Sequence, residues 1–284
     1  MTIKRVGIIG SGIMGSGIAE VAAKNGFEVV LRSRQQASAD AMVAALDKSL
    51  TKQVERGKLE AADREATLSR VSATSQLKDL ADCDLVIESI VEDLPTKQEL
   101  FRELNHICKD EAIIATNTST LPVIEMAMET HRPELVVGVH FFNPAPMMAL
   151  VEIIKSLVSS DKTVAEVKAF AESCGKSPVV VEDRAGFIVN ALLFPYLNNA
   201  VRMLENGTAS REDIDVAMKG GCNFPMGPFA LLDLVGLDTS VAILDALYDE
   251  FRDPNFSPAP ALRRMVTAGH LGRKSGQGFY DYSK

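Results

Sequence analysis

A glycine-rich turn close to the start of the chain limits the possible folds more than any other sequence feature. The residues Gly10, Ser11, Gly12, Ile13, Met14 and Gly15 form a G-x-G-x-x-G pattern directly after the apolar run at residues 6–9, and helical spacing follows as far as residue 24. Strand, glycine turn and helix in this order predict a βαβ unit that binds a dinucleotide, whereas the isolated pattern marks only an ordinary turn. The first glycine then allows the tight turn, the second lets the backbone approach the pyrophosphate, and the third permits close packing of helix on strand. We expect the N–H groups at the start of the helix to bind the anion.

Apolar runs recur along the first 185 residues and alternate with stretches of helical spacing. They lie at residues 6–9, 28–31, 85–90, 112–115, 135–140, 150–154 and 178–181. Continuous apolar runs are typical of strands buried on both faces of a parallel sheet, and their alternation with helices is typical of βαβ units. We therefore predict an α/β fold, with a Rossmann-type dinucleotide-binding domain over residues 1–185.

Two further segments complete the predicted architecture. Residues 37–70 are rich in Ala, Leu, Lys and Glu, and they predict a helical hairpin inserted after the second strand, with a break at Gly57. Beyond residue 185 the spacing is helical, with helices predicted at residues 187–205, 214–219 and 228–251, the last with a point of interruption at Gly236. Residues 186–284 therefore predict an all-helical C-terminal domain.

The charge balance and the cysteines exclude several classes of protein. The chain has 30 basic and 38 acidic residues, a formal charge of −8, so general binding to nucleic acid or to an anionic membrane is not expected. No apolar run reaches about 18 residues, and the first apolar stretch is broken by glycines, so neither a membrane span nor a secretory leader is expected. The four cysteines, none at C-x-x-C spacing, fit a reducing compartment and suggest no metal site. We expect a cytoplasmic protein without a bound metal.

The end of the second predicted strand bears on the choice of cofactor. An Asp or Glu about 20 residues after the glycine turn usually holds the free 2′-hydroxyl of NAD. Here that position is Ser33, flanked by Arg32 and Arg34. A hydroxyl between two guanidinium groups accepts a 2′-phosphate through charge-assisted hydrogen bonds. The sequence therefore predicts NADP(H) as the preferred cofactor, with NAD(H) as the alternative if the arginines are simply solvated.

Four polar side chains at strand ends or inside apolar segments are candidates for catalysis. They are Ser119, His140, Glu152 and Asn190. Glu152 lies inside an apolar run, where an unpaired carboxylate is costly, and a short connection separates that run from His140. A histidine held by a carboxylate has one ring nitrogen fixed as a donor and exchanges a proton through the other. The alternatives are a structural histidine, a helix cap at Ser119 and a buried structural amide at Asn190.

A stripe of cations stands out in this acidic chain. Lys48, Lys52 and Arg56 follow one another at intervals of four residues, so they share a face of the inserted hairpin, and Ser49 lies beside them. The stripe predicts either a site for the nucleotide phosphates of a substrate or an ordinary solvated helix face.

Several segments together resemble one known family. They are GIIGSGIMGSGIAE, ATNTSTLP, GVHFFNPAPMMALVEII, DRAGFIVNALLFPYLNNA, NFPMGPFALLDLVGLDT and LGRKSGQGFYDY. They resemble the L-3-hydroxyacyl-CoA dehydrogenases over essentially the whole chain, and the length is similar to that of members that act on short acyl chains. The resemblance implies reversible hydride transfer between a nicotinamide cofactor, predicted above to be NADP(H), and the pair 3-hydroxybutyryl-CoA and acetoacetyl-CoA. The alternatives are a broader-chain NAD-dependent member, a β-hydroxyacid dehydrogenase acting on a free acid, and a non-enzymatic structural role.

The resemblance also implies roles for individual residues. His140 would be the general base for the 3-hydroxyl, oriented by Glu152, and Ser119 and Asn190 would bind the substrate. The positions that match cofactor contacts are Glu92, Lys97, Asn143 and Lys274, and those that match contacts to the CoA moiety are Ser49 and Arg56, next to Lys52. In the family, the helical domain forms a homodimer and the two domains close over the CoA thioester. Many members carry Asp where Ser33 stands, a departure that agrees with the prediction of NADP(H).

Overall fold

The computed structural model describes residues 3–283. The chain divides into two compact units, Met1–Arg184 and Ala185–Lys284. Each unit has a hydrophobic core of its own, one between the strands and the helices that flank them and the other formed mainly by helices.

The described part of the first unit contains one eight-stranded sheet. Its strands are β1 (Arg5–Ile9), β2 (Glu28–Arg32), β3 (Val71–Thr74), β4 (Leu85–Glu88), β5 (Ile113–Thr116), β6 (Val136–Phe141), β7 (Leu150–Lys155) and β8 (Ser177–Glu182). The order across the sheet is β3-β2-β1-β4-β5-β6-β7-β8, and every neighbouring pair is parallel except β6 and β7. The carboxyl ends of β1 to β6 therefore meet at one edge of the sheet, where ligands of open α/β sheets bind.

Two strands differ from the sequence-based expectation. β3 was not predicted, because Val-Ser-Ala-Thr is short and only Thr74 is buried. β8 was expected to be buried on both faces, but it is the last strand in the sheet, and Val179 and Val180 are 37% and 45% exposed. An apolar run therefore identified the strand but not its place at the edge.

Helices flank the sheet in the first unit. They are α1 (Ile13–Lys24), α2 (Gln36–Glu55), α3 (Ala61–Ser69), α4 (Leu94–Ile107), α5 (Val123–Ala127) and α6 (Asp161–Ser173). Helices α2 and α3 form the predicted hairpin, and Gly57 between them has a φ of +65°, a conformation that suits glycine. Helix α4 begins at a clear N-terminal signal, since the Asp93 side chain accepts a hydrogen bond from the Thr96 N–H and Pro95 lies in the first turn.

The described part of the second unit is helical. Its helices are α7 (Val189–Glu205), α8 (Arg211–Cys222), α9 (Pro228–Val235), α10 (Leu237–Phe251) and α11 (Pro260–Thr267). Helix α7 begins two residues later than predicted, because Gly186 and Phe187 have φ values of +73° and +50°. Gly236, with a φ of +104°, separates α9 from α10 at the predicted interruption.

This architecture agrees with the predicted fold class, an α/β domain with an inserted helical hairpin followed by a helical part. Within residues 3–283, no helix is both long enough and apolar enough to cross a membrane.

Candidate active site

The glycine turn lies between β1 and α1. A Cβ atom on Gly10 would lie 2.2 Å from the carbonyl oxygen of Ser89, and one on Gly15 would lie 2.2 Å from the carbonyl oxygen of Gly10. A Cβ on Gly12, in contrast, would meet no atom of the described chain within 4 Å, its chain neighbours aside. The first and third glycines are therefore required by the protein's own packing, whereas Gly12 leaves open space at the surface.

The start of helix α1 fits an anion. Gly12 is the N-cap of this helix, and no side chain of the described residues caps its first turn. That turn also holds no acidic residue. Ser11 is exposed, Ile13 is 76% exposed, and Met14 packs against the sheet core. Backbone N–H groups and the helix dipole are therefore available to the pyrophosphate of a dinucleotide.

A pocket of about 320 Å³ lies beside this turn. It is lined by Ile9, Gly10, Ser11, Gly12, Arg32, Ser33, Arg34, Ser89, Ile90 and Val91. The Nε of Arg32 is buried without a hydrogen-bond partner within residues 3–283. Burial lowers the pKa of Arg32, and the nearby Arg34 lowers it further, while Glu103 opposes both effects. An unpaired buried donor beside a second guanidinium makes this pocket suited to a phosphate group.

His140 and Glu152 form a hydrogen-bonded pair across β6 and β7. They are direct partners in the antiparallel register, so their side chains project from the same face of the sheet. His140 Nδ1 lies 2.8 Å from Glu152 Oε2, with His140 5% exposed and Glu152 fully buried. The Phe142 ring lies 4.5 Å from the imidazole, measured between ring centroids. The arrangement fixes the imidazole and directs its Nδ1–H to a carboxylate.

Ser119 lies in the loop after β5, and Glu92 organises this loop. Glu92 Oε1 accepts hydrogen bonds from the backbone N–H of Ser119 at 2.8 Å, from that of Thr120 at 3.2 Å, and from the hydroxyl of Thr118 at 2.5 Å. The second oxygen of Glu92 lies 3.3 Å from the ammonium of Lys97. The predicted residues Ser119, Glu92 and Lys97 are thus brought together.

Sequence reasoning missed two residues at this edge of the sheet. Asn117 accepts a hydrogen bond from the Phe141 N–H at 2.8 Å through its side-chain oxygen, so it ties the loop after β5 to the residue that follows His140. Glu88, fully buried at the end of β4, lies 2.6 Å from the Lys97 ammonium. A carboxylate at the end of the apolar run Leu-Val-Ile-Glu was the available signal, of the same kind that identified Glu152.

The cationic stripe lines a groove of about 600 Å³. Its lining residues are Glu20, Lys24, Ala45, Lys48, Ser49, Lys52, Gln53, Arg56, Lys58, Pro144, Pro146 and Met147. Glu20 is 5% exposed and accepts hydrogen bonds from Ser49 Oγ at 3.0 Å and from Gln53 Nε2 at 2.7 Å. The stripe is therefore one wall of a concave surface, not merely an isolated helix face, and Glu20 holds that wall to α1.

Both parts of the chain match profiles of one protein family. Residues 5–184 match "3-hydroxyacyl-CoA dehydrogenase, NAD binding domain", and residues 186–282 match "3-hydroxyacyl-CoA dehydrogenase, C-terminal domain". The chain belongs to the 3-hydroxyacyl-CoA dehydrogenase family. The family predicted from the sequence motifs is confirmed, and so is the expectation of a nicotinamide dinucleotide as cofactor.

Members of the 3-hydroxyacyl-CoA dehydrogenase family resemble this chain over its full length. It is 48% identical over 280 residues to the 3-hydroxybutyryl-CoA dehydrogenase of Clostridioides difficile, covering 99% of this chain and 100% of the relative. It is 43% identical over 287 residues to the mitochondrial hydroxyacyl-coenzyme A dehydrogenase of Sus scrofa, covering 99% and 91%. The crystal structure of (S)-3-hydroxybutyryl-CoA dehydrogenase from Ralstonia eutropha matches with a TM-score of 0.98 at 43% identity, covering 100% of both chains. The family assignment thus rests on both domains, not on the glycine turn alone.

Three further residues that the family resemblance selects lie on other elements of the chain. Asn190 is in helix α7 of the second unit and is 7% exposed. Lys274, also in the second unit, donates a hydrogen bond to Asp238 at 2.7 Å. Asn143 is exposed in the connection between β6 and β7. Their contacts to cofactor or substrate stay predictions.

Proposed function

We propose that this member of the family interconverts (S)-3-hydroxybutyryl-CoA and acetoacetyl-CoA, with NADP(H) as the preferred cofactor. The observation that carries the proposal is the His140–Glu152 pair at the edge of the sheet where the glycine turn also lies. The names of the Clostridioides difficile and Ralstonia eutropha relatives support the short-chain substrate.

His140 is the proton carrier in this proposal. When bound, the nicotinamide ring accepts or supplies the hydride. In the oxidative direction the 3-hydroxyl proton of the substrate passes to Nε2 of His140 as C3 loses its hydride, so the C3–O bond gains carbonyl character. Glu152 holds Nδ1–H, which fixes the tautomer, and its negative charge stabilises the imidazolium that forms. In the reductive direction the same imidazolium returns the proton to the oxygen on C3.

Ser119 and Asn190 are assigned to the substrate oxygens. Both carry side-chain donors, and a donor aimed at the C3 oxygen stabilises the negative charge that develops there. Glu92, Asn143 and Lys274 are assigned to the cofactor through the family resemblance. Lys97 is assigned to the cofactor site on the same ground, and its ammonium faces Glu88 and Glu92.

The preference for NADP(H) is supported by the pocket beside the glycine turn. Ser33 is 7% exposed, and it stands where a carboxylate would repel a 2′-phosphate. Arg32 and Arg34 line the same pocket, and the buried Nε of Arg32 offers a donor. Gly10, Ser11, Gly12, Ile13, Met14 and Gly15 are assigned to the pyrophosphate. NAD(H) stays the alternative cofactor.

The cationic groove is assigned to the CoA moiety of the substrate. Lys48, Lys52 and Arg56 line it together with Lys24 and Lys58, and the phosphates of CoA are dianionic or monoanionic groups that such a wall attracts. A free hydroxyacid has no group to fill the groove, so the groove favours a thioester over the rival small-acid substrate.

The decisive experiment is an absorbance assay of reduced nicotinamide with acetoacetyl-CoA, run side by side with NADPH and NADH. The proposal expects oxidation of NADPH at the higher kcat/KM, and competitive inhibition by free CoA. Activity with NADH at the same kcat/KM contradicts the cofactor preference. Turnover of free acetoacetate without inhibition by CoA favours the small-acid rival, and the absence of any turnover favours a structural role. Longer 3-ketoacyl-CoA substrates in the same assay test the broader-chain alternative.

A homodimer through the second unit is also part of the proposal. Leu192 and Met203 on helix α7 are 72% and 44% exposed and lie eleven residues apart, so they share a helix face, and Val216 on α8 is 68% exposed. A contiguous exposed apolar patch is typical of a subunit interface, and we assign these side chains to such a patch. Sedimentation velocity is expected to give twice the chain mass, whereas a monomer contradicts this part of the proposal. The cytosol is the proposed compartment, in agreement with four free cysteines.

A further inference from the structure

Three charged side chains, Glu88, Lys97 and Glu92, form a row of ion pairs from the core of the sheet to the loop that carries Ser119. Glu88 ends β4 and Thr116 ends β5, and the two are direct partners in the parallel register. Both are fully buried, and Thr116 Oγ1 donates to Glu88 Oε1. Glu88 also accepts a hydrogen bond from the Ile90 N–H at 3.1 Å.

The Lys97 ammonium lies between the two carboxylates of this row. Its side chain is 1% exposed, and it lies 2.6 Å from Glu88 Oε1, 2.9 Å from Glu88 Oε2 and 3.3 Å from Glu92 Oε2. The ammonium donates hydrogen bonds to both oxygens of Glu88 and forms an ion pair with Glu92. Lys97 is therefore directed at two carboxylates of the described residues.

Glu92 connects the Lys97 ammonium to the loop. Its side chain is 38% exposed, and one oxygen faces Lys97 while the other receives the N–H groups of Ser119 and Thr120. A half-exposed carboxylate without a fixed cation would sample several rotamers, because its charge is readily solvated. Lys97 limits Glu92 to the rotamer that accepts the N–H groups of the loop, and Glu88 in turn limits the position of the Lys97 ammonium.

We propose that Glu88 and Lys97 are positioning residues, which hold Glu92 and through it set the backbone of the loop that presents Ser119. The inference rests on the proposed function, in which Ser119 binds the substrate oxygen. It gives Lys97 an action on the loop, through Glu92. It also explains why a full carboxylate–ammonium pair is kept in the core, where burying two charges is costly.

Amide hydrogen exchange in the cofactor-free protein tests the inference. In Glu92→Gln, in Lys97→Met and in Glu88→Gln, the amides of Ser119 and Thr120 are expected to exchange about tenfold faster than in the wild type, the effect of losing one hydrogen bond to a charged group. Glu125→Gln is the matched control, since Glu125 is an exposed residue of α5, just beyond the loop, and exchange there is expected to stay as in the wild type. Unchanged loop exchange in a folded Lys97→Met variant overturns the inference.

Kinetics of the same variants separate positioning from cofactor binding. We expect kcat for acetoacetyl-CoA to fall about tenfold in Glu88→Gln, with the dissociation constant of the reduced cofactor changed less than about twofold. The double variant Glu88→Gln/Lys97→Met is expected to be no slower than Lys97→Met alone, because both residues act on the loop through the same carboxylate, Glu92. Loss of cofactor affinity in Lys97→Met with wild-type loop exchange would establish a direct cofactor contact instead.

If Glu88→Gln does not fold, the Glu92 and Lys97 variants decide whether the inference holds. A wild type inactive on acetoacetyl-CoA contradicts the proposed function, but it leaves the exchange experiment, which uses no substrate, intact.

Discussion

Glu152 Oε2 lies 2.8 Å from His140 Nδ1, in a pair of residues that face each other directly across the antiparallel strands β6 and β7. The hydrogen bond is built into the register of the sheet, so neither side chain depends on a mobile loop for its place. Glu152 is fully buried, and its pairing with the imidazole offsets the cost of a carboxylate in the core. A one-residue change of register would turn the two side chains to opposite faces.

Replacement of the imidazole is expected to remove most of the turnover. In His140→Ala, kcat for acetoacetyl-CoA reduction should fall by about 10²–10⁴-fold, the usual contribution of a positioned acid or base. The dissociation constant of NADPH, followed by the fluorescence of the reduced nicotinamide, should stay near the wild-type value. A variant that loses cofactor binding in parallel with turnover would mark His140 as structural.

The charge of Glu152 is expected to matter more than its shape. Glu152→Gln keeps a side-chain oxygen to accept Nδ1–H but has no charge to stabilise the imidazolium, so kcat should fall by about tenfold or more. Glu172→Gln on the exposed side of α6 is the control, and it should leave kcat unchanged. Wild-type turnover in Glu152→Gln would show that the carboxylate only fills space.

Cofactor preference is expected to respond to the residue between the two arginines. Ser33→Asp places a carboxylate against a 2′-phosphate, so the KM for NADPH should rise by about 10–100-fold, while that for NADH should fall. Ser33→Ala removes the hydroxyl without adding charge, and its KM for NADPH should change much less. The ratio of kcat/KM values for NADPH and NADH measures the effect, and a ratio unchanged by Ser33→Asp rules out this pocket as the source of preference.

The cationic groove is expected to control affinity for the CoA thioester. Lys52→Ala should raise the KM for acetoacetyl-CoA by a few-fold, about the size of one solvent-screened charge interaction, with kcat little changed. The effect should shrink as salt is added, because exposed charges are screened. Lys78→Ala, which removes an exposed lysine outside the groove, is the control. Equal effects of the two substitutions would argue against a CoA site in the groove.

Gly12 and Gly15 of the turn are expected to behave differently when each is replaced by alanine. The Cβ of Gly15→Ala would meet a backbone carbonyl at 2.2 Å, so this variant should lose about 1–3 kcal/mol of unfolding free energy. Gly12→Ala meets no described atom within 4 Å apart from its chain neighbours, so its melting temperature should match the wild type. Its NADPH affinity should nevertheless fall about tenfold, since the methyl group takes space assigned to the pyrophosphate. Wild-type cofactor affinity in Gly12→Ala would place the pyrophosphate elsewhere.

Local sequence signals were sufficient for much of the fold. The glycine turn, the continuous apolar runs and the helical spacing after residue 185 each reflect a requirement of nearby backbone, such as a positive φ at Gly10 or a buried strand. The same local reading missed β3 and misjudged β8, because the place of a strand at the edge of a sheet depends on its neighbours in space.

The fold class, the glycine turn, the cationic stripe and the presence of a carboxylate in an apolar run can all be inferred from the sequence, since each involves a few adjacent or regularly spaced residues. How these features meet depends on the three-dimensional packing of the strands and helices. The register of β6 and β7 sets His140 opposite Glu152, and the parallel ends of β4 and β5 bring Glu88 to Thr116, with Lys97 reaching both Glu88 and Glu92. Such contacts join residues up to 28 positions apart, and their distances follow from strand order and packing, which no local pattern encodes.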